Sequence, residues 1–368
     1  MIRISRILLI ATLVFASCST EDDGNGGGNE TDNFDRSAML ANWADNIIVP
    51  SFENFQTETQ KLEEIAKAFA ADPQLNALQI LRAQYKVAYQ NFQTVSMFQM
   101  GKAEELNYRS FLNTYPANEA NIESKIASGS YNLELPSSYA EQGFPALDYL
   151  LYSYGSAEET LEVLSLNQNY LDYIVAVAER INALTTEVTA SWQGDYRDTF
   201  VNNTSSSSTG SVDRFTNDYV MYFEKILRSG KIGYPSGAFT GTPSPENTEA
   251  LYAGISKNLY LQALNSFEDF YYGLHYDQDG DGPSYFEYLD YLDSMKDSES
   301  LTGLIADQFA VIRSQSTQLD SNLKSQVETD NTKMLAAFDE LQKAVVLLKV
   351  DMMQALSISV DYVDSDGD

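Results

Sequence analysis

The sequence predicts an all-α fold, two helical bundles side by side with a cleft between them. Apolar residues recur at helical spacing over long stretches of the chain, and no stretch alternates apolar and polar residues as a half-buried strand does. Near the end, Met334, Phe338, Leu341, Val345, Leu348 and Met352 step by four and three in turn, the spacing of a bundle seam.

The elements follow in order. Met39 to Ala71 carries apolar residues at helical spacing, with a break or bend expected at Pro50. Gln74 to Phe98 reads as a second helix, opened by Asp72 and Pro73. A less regular stretch follows Gly101, with a short helix around Ile122. Gly143 and Pro145 then suit a helix entrance, because proline lacks an N–H that the first turn does not need. Tyr170 to Trp192 is a long helix with Leu171, Ile174, Ala178, Ile181, Val188 and Trp192 on one stripe.

Asn202 to Gly210, with four consecutive serines, reads as a loop, and Val212 to Leu227 as a helix. Ser229 to Gly237 holds three glycines and a proline and reads as a loop. Ser244 and Pro245 are placed to start a helix that runs to about Tyr272. A short helix is expected from Tyr285 to Leu292. The penultimate long helix presents Ile305, Phe309, Ile312, Leu319 and Leu323 on one face. The expected organisation is therefore 1–17 signal peptide, 18–34 disordered tether, 35–201 first helical domain, 202–211 linker and 212–368 second helical domain.

Composition narrows the function. The chain has 368 residues, 43% of them hydrophobic, so a sizeable core is available. A net charge of −30 repels phosphates and excludes nucleic acid as a partner. There is one cysteine, Cys18, and one histidine, His275. A site built from several histidines is excluded, and the body of the chain has neither a disulfide nor a thiolate nucleophile. His275 follows a predicted helix end, where the dipole favours it as a structural group.

The N-terminus reads as an export signal: Arg3 and Arg6, then an apolar run from Ile7 to Ala16 too short to span a membrane, then Phe15-Ala16-Ser17-Cys18. Cys18 is the expected lipidation site. Cleavage before it removes two positive charges and takes the net charge from −30 to −32. The acidic run Glu21-Asp22-Asp23 resembles the surface-export signal of Bacteroidetes lipoproteins. The expectation is an outer-membrane lipoprotein held by its anchor at Cys18, with the surface-exposed face favoured over the periplasmic one.

Three places carry candidate chemistry. Asp148 sits inside the apolar run Gly143 to Leu151, where an acid is costly unless paired, hydrogen-bonded or bound. Lys231 lies in the Gly/Pro-rich segment and is free to pair with Asp148 or with an anionic ligand. Asp277, Asp279 and Asp281, with Gly282 in sixth position, resemble the first half of a calcium loop. The twelfth position is Tyr288 rather than Glu, and Glu287 is one residue early, so a solvated turn is the competing reading.

The run Gly143-Phe144-Pro145-Ala146-Leu147-Asp148 also resembles the Gly-x-His-x-x-Glu motif of the imelysin (M75 peptidase-like) family. The glycine is kept, Pro145 stands for His and Asp148 for Glu. Lys231-Ile232-Gly233-Tyr234-Pro235 resembles that family's Arg-Ile-Gly-x-Pro segment, and Tyr115-Pro116 its Trp-Pro segment. Glu249 and Tyr252 fall where the family carries a Glu followed by small or aromatic residues. The resemblance implies two helical domains with a site in the cleft between them, formed by Gly143, Pro145, Asp148, Lys231, Tyr234, Glu249 and Tyr252. It implies a link to iron regulation and uptake, with a small ligand or metal bound and an outer-membrane uptake partner. The cofactor expectation is a divalent or iron ion, or calcium at the Asp277 loop. Pro145 has no ligand atom, which points to a non-catalytic binding protein. The alternative is an M75-type metallopeptidase whose ligands have been replaced.

Overall fold

The computed structural model describes residues 32–276 and 279–362. The described residues from Phe34 onward form one compact, almost wholly helical unit. Arg36–Asn42, a π-helical Trp43–Ile48 and Val49–Ala71 run on as one helix, α1. The break expected at Pro50 is absent. Pro50 falls in the first turn after the π segment, and the Asn46 carbonyl one turn back accepts the Tyr276 N–H at 2.8 Å in place of the N–H that proline lacks.

Leu75–Val95 is α2, Glu119–Ser128 α3, Gly143–Tyr152 α4, Ala157–Ser165 α5, Gln168–Gln193 α6 and Asp195–Asn202 α7. α1 packs along α2 and α6, with α4 and α5 laid against those two. The expected stripe of α6 is buried throughout. After the loop 203–210, α8 spans 211–236, its middle a π-helix over Tyr222–Gly233. Ser256–Tyr271 is α9, Tyr285–Tyr291 α10, Leu301–Thr317 α11, and α12 runs over 323–355. α8, α9, α11 and α12 form a second packed group, and α9 also lies on α2. α1 serves both groups. Its Trp43 packs on Phe215, Phe270 and Tyr285, and its indole N–H donates to Ser284 Oγ at 2.9 Å.

Three local readings of the sequence are corrected. Ser229 to Ser236 is helical, not loop, and of the three glycines between Ser229 and Gly237 only Gly237, just past the helix end, takes a positive φ. The tightest of the others, Gly233, is there for proximity: a Cβ on it would lie 2.7 Å from Phe239 and 2.9 Å from Phe338. The helix expected from Pro245 begins only at Ser256. Pro245–Asn247 is a single 3₁₀ turn, and Ala250 and Gly254 take φ of 52° and 65°. The irregular segment 248–255 is needed by the site described below. Finally, Met295–Lys296 and Glu299–Ser300 pair as a two-residue antiparallel hairpin, β1 and β2, too short for a periodic signal.

Candidate functional site

The site is built on the entrance of α4. Gly143 has φ +71°, and a Cβ there would lie 2.3 Å from the Leu112 carbonyl oxygen. Only glycine tolerates both the backbone conformation and the approach. Pro145 follows, buried in the first turn, and Asp148 one turn on is 2% exposed. Its carboxylate is held by hydrogen bonds to neutral groups. Oδ2 accepts the Tyr252 N–H at 2.8 Å; Oδ1 accepts the Ala253 N–H at 2.9 Å and the Tyr85 hydroxyl at 3.2 Å. Burial pushes its pKa up to about 6, against the pull of those donors.

Glu249, 1% exposed, is the second buried carboxylate. Its Oε2 lies 2.5 Å from Lys231 Nζ. Oε1 accepts from Asn113 Nδ2 at 2.7 Å and, more weakly, from the Tyr89 hydroxyl at 3.3 Å and Gln93 Nε2 at 3.4 Å. Gln93 Oε1 accepts a further bond from Lys231 Nζ at 2.8 Å. Burial lowers the lysine's pKa while Glu249 opposes the shift. The wide π turns of α8 carry Lys231 inward, and α2 contributes Tyr85, Tyr89 and Gln93 at steps of four. Tyr89 stacks on Phe144 with ring centroids 4.5 Å apart.

The irregular segment 248–255 now has its reason. In a helix the N–H groups of Tyr252 and Ala253 would donate to the carbonyls four residues earlier, those of Thr248 and Glu249. Here they turn to Asp148, and Glu249 turns to Lys231.

The structure thus gathers Gly143, Pro145, Asp148, Lys231, Glu249 and Tyr252. It corrects one pairing, since Lys231 meets Glu249 and not Asp148. Tyr234 stands apart, 49% exposed with its ring on Phe239. Sequence reasoning missed Tyr85, Tyr89, Gln93 and Asn113. The i, i+4 steps Tyr85, Tyr89, Gln93 were the available signal, but they read as an ordinary core stripe.

At the acidic loop, Asp277 lies outside the described residues, while Asp279 and Asp281 are exposed. Glu287, next to the closing position, is committed to a capping box with Ser284, and Tyr288 accepts from Arg36. His275 Nε2 sits 3.0 Å from Asn42 Oδ1. Cys18 lies outside the described residues.

The buried centre does not fit a catalytic metal. Every oxygen of Asp148 and Glu249 is engaged by a protein donor, Pro145 offers no ligand atom, and the Lys231 ammonium fills the place beside Glu249 that a cation would take. Among the described residues no group of three or more His, Cys, Asp or Glu is placed to hold a metal ion.

The profile of the M75 peptidase family, imelysin, matches residues 48–350. The chain belongs to the imelysin family. Solved imelysin folds match it closely in shape. An imelysin-like protein from Psychrobacter arcticum superposes with a TM-score of 0.70 at 17% identity, covering 89% of this chain and 97% of that one. A putative iron-regulated protein A precursor from Parabacteroides distasonis gives 0.71 at 17% identity, covering 86% and 95%. No curated protein sequence matches the chain. In this imelysin Gly143 fits the tight entrance of α4, and Asp148 is the docking point for a segment 104 residues away.

Proposed function

We propose that this imelysin is a non-catalytic binding protein, exported and held at the outer membrane through Cys18. The observation that carries the reading is the saturation of its buried centre. Both carboxylates spend all their oxygens on backbone N–H groups, neutral side chains and Lys231. A general base or metal ligand needs an oxygen to spare. The centre therefore docks the 248–255 segment between the two helix groups and shapes the surface around Tyr252. An iron-linked role is supported by the description of the Parabacteroides structure as an iron-regulated protein precursor. No helix among the described residues is long and apolar enough to cross a membrane, which agrees with attachment by a lipid, and an uptake partner in the same membrane completes the reading.

The test is proteolysis by the purified protein of denatured casein, with zinc, manganese or ferrous iron supplied. The expected result is no cleavage above buffer with any metal. Metal-dependent cleavage lost in Asp148→Ala would overturn the reading. Cys18→Ala is expected to move the protein from the outer-membrane fraction to the soluble one.

A further inference from the structure

The seam where α9 lies on α2 opens into a polar groove. α9 presents Gln262, Ser266 and Asp269 at steps of four and three, which puts them on one face. α2 brings Gln90, Asn91 and Thr94 to the same groove, and α1 brings Asn54. Two cavities lie between them, of about 130 and 220 Å³. They share Thr94, Gln262 and Tyr276, so they run into one another. Ile47, Met97 and Phe98, all buried, give the groove an apolar inner end.

Its polar side chains are only partly used by one another. Asn54 Nδ2 donates to Asn91 Oδ1 at 2.6 Å, and Gln262 Nε2 to Ser266 Oγ at 3.3 Å. Gln90 Nε2 reaches Gln262 Oε1 only at 3.5 Å. Among the described residues nothing donates to Asn54 Oδ1, to Gln90 Oε1 or to either carboxylate oxygen of Asp269. The contrast with the buried centre is direct: there every carboxylate oxygen has a protein donor, and here Asp269 has none. Asp269 is exposed and Gln262 half-buried, so water meets these groups and a ligand hydroxyl can take its place.

The lining also selects by charge. Asp269 is its one acid, and no lysine or arginine lines it. An anion would find no counter-charge and would meet a carboxylate. A sugar hydroxyl both donates and accepts, as a side-chain amide does, and a carboxylate can accept from two neighbouring hydroxyls at once. The C–H faces of a sugar ring suit the apolar inner end. From Gln262 to Asp269 the stripe runs about 10 Å, long enough for a disaccharide.

We infer that this groove binds a neutral saccharide, with Asp269 and Gln262 as partners of its hydroxyls at one end and Asn54 and Gln90 at the other. It rests on the binding-protein reading above only in treating the chain as a carrier of a ligand, and it shares no residue with the Asp148–Glu249 centre.

The experiment is saturation-transfer NMR of the full-length protein, solubilised in a detergent without a sugar headgroup, with maltose, cellobiose and N,N′-diacetylchitobiose as millimolar probes. The expected result is saturable binding of at least one of them that citrate does not displace. Asp269→Ala and Gln262→Ala are each expected to weaken that binding at least tenfold, while Tyr234→Phe, at an exposed ring outside the groove, leaves it unchanged. Both alanine variants trim polar side chains that face solvent, and thermal unfolding of each shows that it is folded. No saturation with any of the three disaccharides overturns the site. So does binding that survives in folded Asp269→Ala and Gln262→Ala, and displacement by citrate overturns the choice of a neutral ligand. None of these outcomes bears on the casein assay, so this site can fail while the non-catalytic reading stands.

Discussion

At Asp148 the chain uses a carboxylate as a clamp. Two adjacent backbone N–H groups, those of Tyr252 and Ala253, point at it. In Asp148→Asn one of them faces the new amide NH2, donor against donor, and a buried N–H is left unpaired. The expected cost is about 1–3 kcal/mol, read as a lower urea midpoint with unchanged slope. Equal stability of the two proteins would show that the docking is not a constraint. Lys231 and Glu249 behave differently, because each is the other's neutraliser in a dry place, 2% and 1% exposed. Lys231→Met alone strands a buried carboxylate and is expected to cost about 3–5 kcal/mol. Adding Glu249→Gln to it removes the stranded charge, so the double variant is expected to be more stable than Lys231→Met, and the two single costs will not add. Additive costs would mean the pair is solvated. The sequence exposed all three residues but not their partners. Lys231 is 18 positions from Glu249 and 83 from Asp148, and only the path of the 248–255 segment decides between them.

At the scale of elements, the legible parts were those that obey one period for many residues. α6 and α12 declared their buried faces through spacing alone, and α11 did so through Ile305, Phe309 and Ile312. The misread parts are those where glycine and proline serve packing or chemistry instead of ending a helix. Gly233 lets α8 press against Phe239 and Phe338, and Pro50 follows a π turn and leaves the Asn46 carbonyl to the Tyr276 N–H. Pro245 opens only one 3₁₀ turn, because the N–H groups that would have continued a helix are claimed by Asp148. Two glycines separate conformational strain from crowding. Gly241 has φ +72° and nothing within 4 Å of the position a Cβ would take, so Gly241→Ala is expected to cost about 1–2 kcal/mol, the left-handed penalty alone. Gly143 has the same kind of φ, but its Cβ would overlap the Leu112 carbonyl at the foot of α4. Gly143→Ala is expected to cost distinctly more than Gly241→Ala and to loosen the Asp148 clamp as well. Similar losses in chemical denaturation would refute the packing argument.

At the scale of the molecule, acidity is the dominant electrostatic fact, and it interacts with the interior. Burial pushes Glu268 up to about 7, although Arg313 Nε lies 2.6 Å from its Oε2 and opposes the shift; its other oxygen has no hydrogen-bond partner in the protein. Asp148 is pushed up to about 6. Both folded-state values lie above those of the unfolded chain, 4.5 and 3.8. Between about pH 4 and pH 7 the native protein therefore holds protons that the unfolded chain has released, and stability falls as the pH rises through that window. Repulsion among the surface carboxylates of a chain at −30 acts in the same direction as they ionise. The melting temperature is expected to be higher at pH 5 than at pH 8. Glu268→Gln is expected to make the profile between about pH 5 and 7 less steep, because it removes that residue's share of the interior titration and leaves the share of Asp148 and the surface charge. Half-molar sodium chloride is expected to raise the melting temperature more at pH 8 than at pH 5, because it screens the exposed carboxylates and not the buried one. A melting temperature that climbs from pH 5 to pH 7 would mean that Arg313 already holds Glu268 ionised, with its pKa below the unfolded value, and that pairing outweighs burial in this core.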